Sequence, residues 1–219
     1  ILFDNETLSP EEVALVRAAA QVSKAEETRI KEKINVGRLI KAIREVKRQV
    51  SVPVTTGEIW SVWRDHPELV AAVDYIAVHI LPYWEGAPDQ SAVDAAIGGF
   101  NQLREMYPGK RIVIAEFGWP SAGYNFKMAT PGHFEQAHII RDFVERANAI
   151  GADYNIIEAF DQPWKISEGS VGAYWGLFDA SYKQKFNWTG PIFDPDFRKL
   201  ALLAVLLGVL FSLPLLTMG

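Results

Sequence analysis

The sequence predicts an α/β protein, a parallel sheet with helices outside it, followed by a transmembrane helix at the C-terminal end. Three observations carry this. Four short runs rich in β-branched residues, 52–58, 75–81, 111–118 and 154–160, alternate with stretches whose apolar residues recur every three or four positions. Strand and helix in strict alternation imply right-handed crossovers and parallel pairing. From Leu200 to Met218, nineteen residues carry no charge, and as a helix they are long enough to cross a hydrocarbon layer of roughly 30 Å.

Taken in order, the elements have separate grounds. Ser9-Pro10-Glu11-Glu12 reads as a capping box with proline at the first helical position, opening a short helix through Val22. Residues 23–35 are densely charged and poorly periodic, which suggests a solvated helix extension or a linker. Val36, Leu39, Ile40, Ile43, Val46 and Val50 then fall on one face of a helix with Lys and Arg opposite. Ser91 opens a helix that buries Val93, Ile97, Phe100 and Leu103. Thr130-Pro131 opens another that buries Phe134, Ile140, Phe143 and Val144 and stops at Gly151. Arg198 and Lys199 flank the apolar run, and by the positive-inside rule that pair alone would place the preceding domain in the cytoplasm. The expected organisation is a charged helical segment at 1–35, the α/β part at 36–195 and the span at 199–218. A span that ends the chain with no flanking loop suggests a piece of a longer membrane protein.

Composition narrows the chemistry. The chain has 219 residues, a net charge of -5 and no cysteine, so disulfide scaffolds and thiolate metal sites are excluded. With 49% hydrophobic and 22% charged residues, wholesale disorder is excluded too. Residues 23–50 hold nine Lys/Arg and four acids, which could mark a nucleic-acid or lipid surface. Without interleaved aromatics or a base-reading motif, a solvated helix back is the better reading, and no nucleic-acid partner is expected. His66, His79, His133 and His138 are dispersed, and no Gly-rich phosphate loop occurs, so neither a metal nor another cofactor is expected.

Polar and aromatic residues gather where the four strands end. Glu58 ends the first, His79 the second just before Tyr83 and Trp84, and Glu116 the third just before Trp119. Glu158 and Asp161 close the fourth, with Lys165 behind. Ligands bind at this edge of parallel α/β sheets. Sugar rings stack their C–H faces on indole and phenol rings while carboxylates bind their hydroxyls, and glycoside cleavage needs two carboxyl groups. Glu116 follows an apolar strand, where full burial would be costly unless it is partnered or exposed. His79 fits a hydrogen-bonded core histidine as well as a sugar ligand. Tyr83, Trp84 and Trp119, with Pro or Gly close by, fit loop-presented ligand contacts, and Trp60, Trp63 and Trp188 fit packing.

Ala115-Glu116-Phe117-Gly118-Trp119-Pro120-Ser121 resembles glycoside hydrolase family 17, the β-1,3-glucanases. The likeness continues in HILPYWEG (79–86), AFDQPWK (159–165), YWGLFD (174–179) and TTGEIWSVW (55–63), and covers roughly residues 36–193. It implies the C-terminal half, about four βα units, of a (β/α)8 barrel, a retaining mechanism and β-1,3-glucan as substrate. It further implies Glu116 as nucleophile, with His79, Tyr83, Trp84, Trp119, Glu158, Asp161 and Lys165 in the cleft; Glu58 is a substrate-binding candidate from its place at the end of the first strand. With the apolar span, it implies a membrane-anchored protein in contact with a lipid bilayer through 199–218, its catalytic part periplasmic or extracellular.

One departure stands out. The family's general acid/base lies in a G-N-E segment, whose place is taken here by Val22-Ser23-Lys24-Ala25-Glu26-Glu27-Thr28-Arg29. The readings left open are a retaining hydrolase or transglycosylase, inactive as this piece, a non-catalytic glucan-binding module, or a truncated gene product.

Overall fold

The structure, a computed structural model, describes residues 8–192 and 197–217, with side chains through residue 212. The parts of the expected segments at 1–7, at 193–195 and at Met218 lie outside the described residues. The chain forms two compact units: residues 1–80, 98–115 and 152–154, and residues 81–97, 116–151 and 155–219.

The first unit opens with two antiparallel-paired stretches of helix, α1 (Pro10–Val22) and α2 (Lys24–Gln49), packed on each other. Ser9 caps α1 as its sequence predicts: its Oγ accepts from Glu12 N at 3.3 Å, while Glu12 Oε2 accepts from Ser9 N at 2.8 Å. Ser23 ends α1 and caps α2, its side chain accepting from Glu26 N at 3.1 Å. Residues 24–35 are therefore helix throughout. Glu27 explains why: it pairs with Lys24 at 3.1 Å and Lys31 at 2.6 Å, three and four positions away, so charge pairing rather than apolar period stabilises this stretch. Arg38 of α2 grips Glu12 of α1 through Nε at 3.2 Å and Nη2 at 2.5 Å. Along α2, Val36, Ile40 and Ile43 are buried, whereas Val46 and Val50 stay exposed.

The strands β1 (Gly57–Ile59), β2 (Ile76–His79), β3 (Ile112–Phe117) and β4 (Asp153–Ile156) form one sheet in the order β1-β2-β3-β4. β1 and β2 are parallel, with Glu58 opposite Val78 and Ile59 opposite His79. β1 is shorter than its apolar run because Pro53 lacks a donor and Val54 bonds to Asp74 instead, N to Oδ2 at 2.7 Å. Helix α3 (Trp60–Asp65) packs on β1 and β2 and on α4 (Pro67–Ala72), and α2 also packs on α4. Trp63 is fully buried, its indole N–H donating to Glu58 O at 3.1 Å and Ala77 O at 3.2 Å.

Three further helices follow: α5 (Pro82–Glu85), α6 (Ala92–Met106) and α7 (His133–Ala149). The predicted buried stripe of α6 is observed, with Val93, Ile97, Phe100 and Leu103 all buried. In α7 the core stripe is Ala137, Ile140, Phe143 and Ala147, while Phe134 is 55% exposed and Val144 only half-buried. The helix begins at His133, so Phe134 sits in its first turn, off the buried stripe. Phe143 stacks on Phe117 of β3, centroids 3.6 Å apart. β4 ends at Ile156 because residues 158–160 turn to another partner: Glu158 N donates to Trp175 O at 3.0 Å and Phe178 N to Ala159 O at 3.0 Å.

Helix α8 runs Phe197–Thr217. The expected transmembrane helix is not supported: among the described residues no helix is long and apolar enough to cross a membrane. The lipid bilayer contact expected through 199–218 loses its support with it.

Candidate active site

In the second unit the site grows out of the end of β3. Glu116 is the fifth of its six residues and half-buried. The five residues after it explain one another physically. Phe117 goes to the core against Phe143. Gly118 has no room for a side chain, since a Cβ there would lie 2.5 Å from Ile157 O. Trp119 is fully buried, its Nε1 donating to Thr130 O at 3.1 Å and its carbonyl accepting from Gln136 Nε2 at 2.9 Å. Pro120 O accepts from Gly132 N at 3.2 Å. Ser121 N donates to Tyr174 O at 2.9 Å. The segment is a turn fixed by packing at Phe117, Gly118 and Trp119 and by backbone bonds at Pro120 and Ser121.

Beyond β4, Glu158 is ion-paired with Lys165 at hydrogen-bonding distance. The Glu158 side chain is 11% exposed, and its second oxygen is buried without a hydrogen bond among the described residues. The Lys165 ammonium is pushed above its ordinary range, first by its hydrogen bond to Glu158, against the opposing effect of burial, and then by the fields of Glu158, Glu168 and Glu116. Glu116, Glu158 and Lys165 thus share one electrostatic cluster. Asp161 is held from behind. Its Oδ1 accepts from Lys185 Nζ at 2.5 Å and from Gly176 N at 2.9 Å, and its side chain is 9% exposed.

The aromatic residues form a nest in the same unit. Tyr83 is buried, donates its hydroxyl to Tyr124 O at 2.8 Å, and meets Trp84, Trp119 and Trp175 edge-on at 5.0, 5.8 and 5.9 Å. Trp84 stacks on Trp175 at 5.9 Å and 25° and is 41% exposed. Of the three aromatics predicted to touch a ligand, Trp84 is exposed, while Tyr83 and Trp119 are buried, with Tyr83 packed against both of the others.

Glu58 and His79 belong to the first unit. Glu58 is buried, and burial pushes its carboxyl group above the usual range. The His79 ring lies over Gly57, where a Cβ would fall 2.3 Å from Nε2. Sequence reasoning missed Trp175, Gln136 and Lys185. Trp175 had a signal in its motif YWGLFD, whereas Gln136 and Lys185 are single polar residues in unremarkable contexts. Among the described residues no group of three or more His, Asp or Glu could hold a metal ion.

The second unit thus holds Glu116 at the end of β3, the Glu158–Lys165 pair after β4, and a pair of stacked indoles. Residues 15–176 match the family described as the BtgE/BtgC glycoside hydrolase domain, and the chain belongs to that family. The resemblance to family 17 drawn from the motifs is thereby borne out. Among curated relatives, the protein named probable glucan endo-1,3-beta-glucosidase btgC of Aspergillus terreus is 28% identical over 78% of this chain and 28% of its own length. The protein of the same name from Aspergillus clavatus is 32% identical over 64% of this chain and 22% of its own length. Among solved structures, the glycoside hydrolase family 17 beta-1,3-glucanosyltransferase of Rhizomucor miehei superposes with a TM-score of 0.59 at 26% identity, over 68% of this chain and 55% of that one. An endo-laminarinase from Formosa, at 20% identity and a TM-score of 0.54, shares the fold over 65% of this chain and 48% of its own. The chain thus spans about a quarter of these curated relatives and about half of these solved chains, and its α/β fold is similar to part of a family 17 barrel.

Proposed function

We propose that this chain supplies the nucleophile side of a retaining β-1,3-glucan hydrolase or transglycosylase, with Glu116 as nucleophile. The observation that carries it is Glu116 at the end of β3 in the same electrostatic cluster as the Lys165–Glu158 pair. The exposed Trp84 face, backed by Trp175 in the same unit, supplies the platform for a sugar ring. A Glu116 carboxylate oxygen attacks the anomeric carbon, the bond to the leaving sugar oxygen breaks, and that oxygen takes a proton from an acid. Water or a sugar hydroxyl then displaces Glu116. Names of the relatives above support β-1,3-glucan as the substrate.

A second reading, a glucan-binding module without turnover, is favoured by one observation. Glu26 and Glu27, at the place of the family's acid, lie in the first turn of α2. Glu27 is held below the usual carboxylate range, first by Lys31 and then by Lys24. Glu27 is also ion-paired with Lys24 and Lys31 along the helix, an arrangement that occupies its carboxylate.

The activated donor 2-deoxy-2-fluoro-β-glucosyl fluoride separates the readings. Fluoride departs with the bonding electrons and needs no proton donor, so a nucleophile alone suffices to form the glucosyl ester. The proposed role predicts a gain of one 2-fluoroglucosyl group in the intact mass of the chain, and none for Glu116→Gln. Retention on insoluble β-1,3-glucan with no label on the wild-type chain would favour the binding module.

A further inference from the structure

Four segments of the second unit meet at one buried ammonium. Lys185 Nζ donates to Asp161 Oδ1 at 2.5 Å, to Ser121 Oγ at 2.7 Å and to Tyr174 O at 3.3 Å. Its three protons are matched by three acceptors. The Lys185 side chain is 3% exposed and that of Asp161 9%. Ser121 Oγ in turn reaches Tyr174 O at 3.1 Å, and Asp161 Oδ1 accepts from Gly176 N at 2.9 Å. Ser121 closes the turn that begins at Glu116, and Asp161 closes the turn that begins at Glu158.

We infer that Lys185 is a positioning residue for the carboxylate site, its ammonium locking the turn after Glu116 to the turn after Glu158. A surface tie would not need this burial. Removing a lysine of this length from water is costly and is offset only where the cation is paired and its donors are used, as they are here. Burial lowers the ammonium's affinity for its proton while Asp161 opposes that loss. Lys185 acts through Ser121 and Asp161. Misplacing a nucleophile by about 1 Å slows its reaction on the order of a hundredfold, so the lock matters for rate beyond its effect on folding.

The kinetic arm of the test rests on Glu116 being the nucleophile; the exchange arm does not. Lys185→Met alone strands a buried carboxylate, so the informative variant is Lys185→Met with Asp161→Asn, which removes both charges. On the full chain, three quantities are followed: the thermal midpoint, hydrogen exchange at the amides of Ser121 and Gly176, and the rate of labelling by 2-deoxy-2-fluoro-β-glucosyl fluoride. The lock predicts a midpoint near wild type, lost protection at both amides, and labelling slowed on the order of a hundredfold. Protection and labelling both unchanged in the double variant would overturn it. A wild-type chain that takes no label, while the double variant still loses protection, would retire the proposed nucleophile and leave the lock standing. If the double variant does not fold, Lys185→Arg decides. More than tenfold slower labelling at an unchanged midpoint supports the lock, and an unchanged rate contradicts it.

Discussion

At the scale of single residues, the E-F-G-W-P-S segment shows why a motif can be read before its geometry is known. Each position answers a local constraint: a core face for Phe117, no space at Gly118, a buried indole at Trp119, and a backbone bond to Tyr174 at Ser121. Gly118→Ala would push a methyl group into the Ile157 carbonyl, 2.5 Å away. A stability loss of roughly 1–3 kcal/mol is expected from such overpacking, read as a lower urea midpoint with an unchanged slope. Trp84 carries the exposed ring face, so Trp84→Ala should weaken binding of laminari-oligosaccharides by about tenfold in calorimetry while the thermal midpoint shifts little. Glu116, Glu158 and Trp84 were legible because each ends or follows an apolar strand in a recognisable segment. Lys185 was not, since a lysine in a polar loop looks the same in sequence whether solvated or buried. Its role depends on Asp161 and Ser121, 24 and 64 positions away.

Among the elements, the helices and the order of strands could be read closely, and the strand lengths less so. Capping box, proline and apolar spacing are local, and α1 and α6 follow them, while α7 begins two residues later than its Thr130-Pro131 signal and leaves Phe134 exposed. Residues 24–35 lacked an apolar stripe, yet Ser23 and the Glu27 ion pairs make them helix. Residues 158–160 looked like a continuation of the strand, but their backbone bonds to the 174–178 segment, while Ile157 N still donates to Phe117 O of β3. The α1–α2 pair carries its own pH dependence. Glu12 is held down to about 2, first by the Ser9 backbone and then by Arg38. Because its folded value lies below its unfolded one, its contribution is full above about 4.5 and disappears as the pH falls towards 2. Urea unfolding followed by circular dichroism should therefore show a midpoint that drops across this window, and Glu12→Gln should flatten the drop.

For the molecule as a whole, the α/β class was legible from the alternation of strand and helix patterns and the family from the E-F-G-W-P-S motif and its companion segments, and the family match over residues 15–176 agrees. The membrane span expected from composition is not supported, since no helix among the described residues is long and apolar enough to cross a membrane. The absence of a G-N-E segment was legible in the sequence, and in the structure Glu26 and Glu27 lie in the first turn of α2. What remains to be tested is whether Glu116 forms a bond to sugar. The direct measurement is fragment mapping of the full chain after reaction with 2-deoxy-2-fluoro-β-glucosyl fluoride. The nucleophile role predicts the fluoroglucosyl group on the carboxyl of Glu116, within the 112–121 fragment. A label mapped to Glu58, Glu158 or any other residue would contradict it.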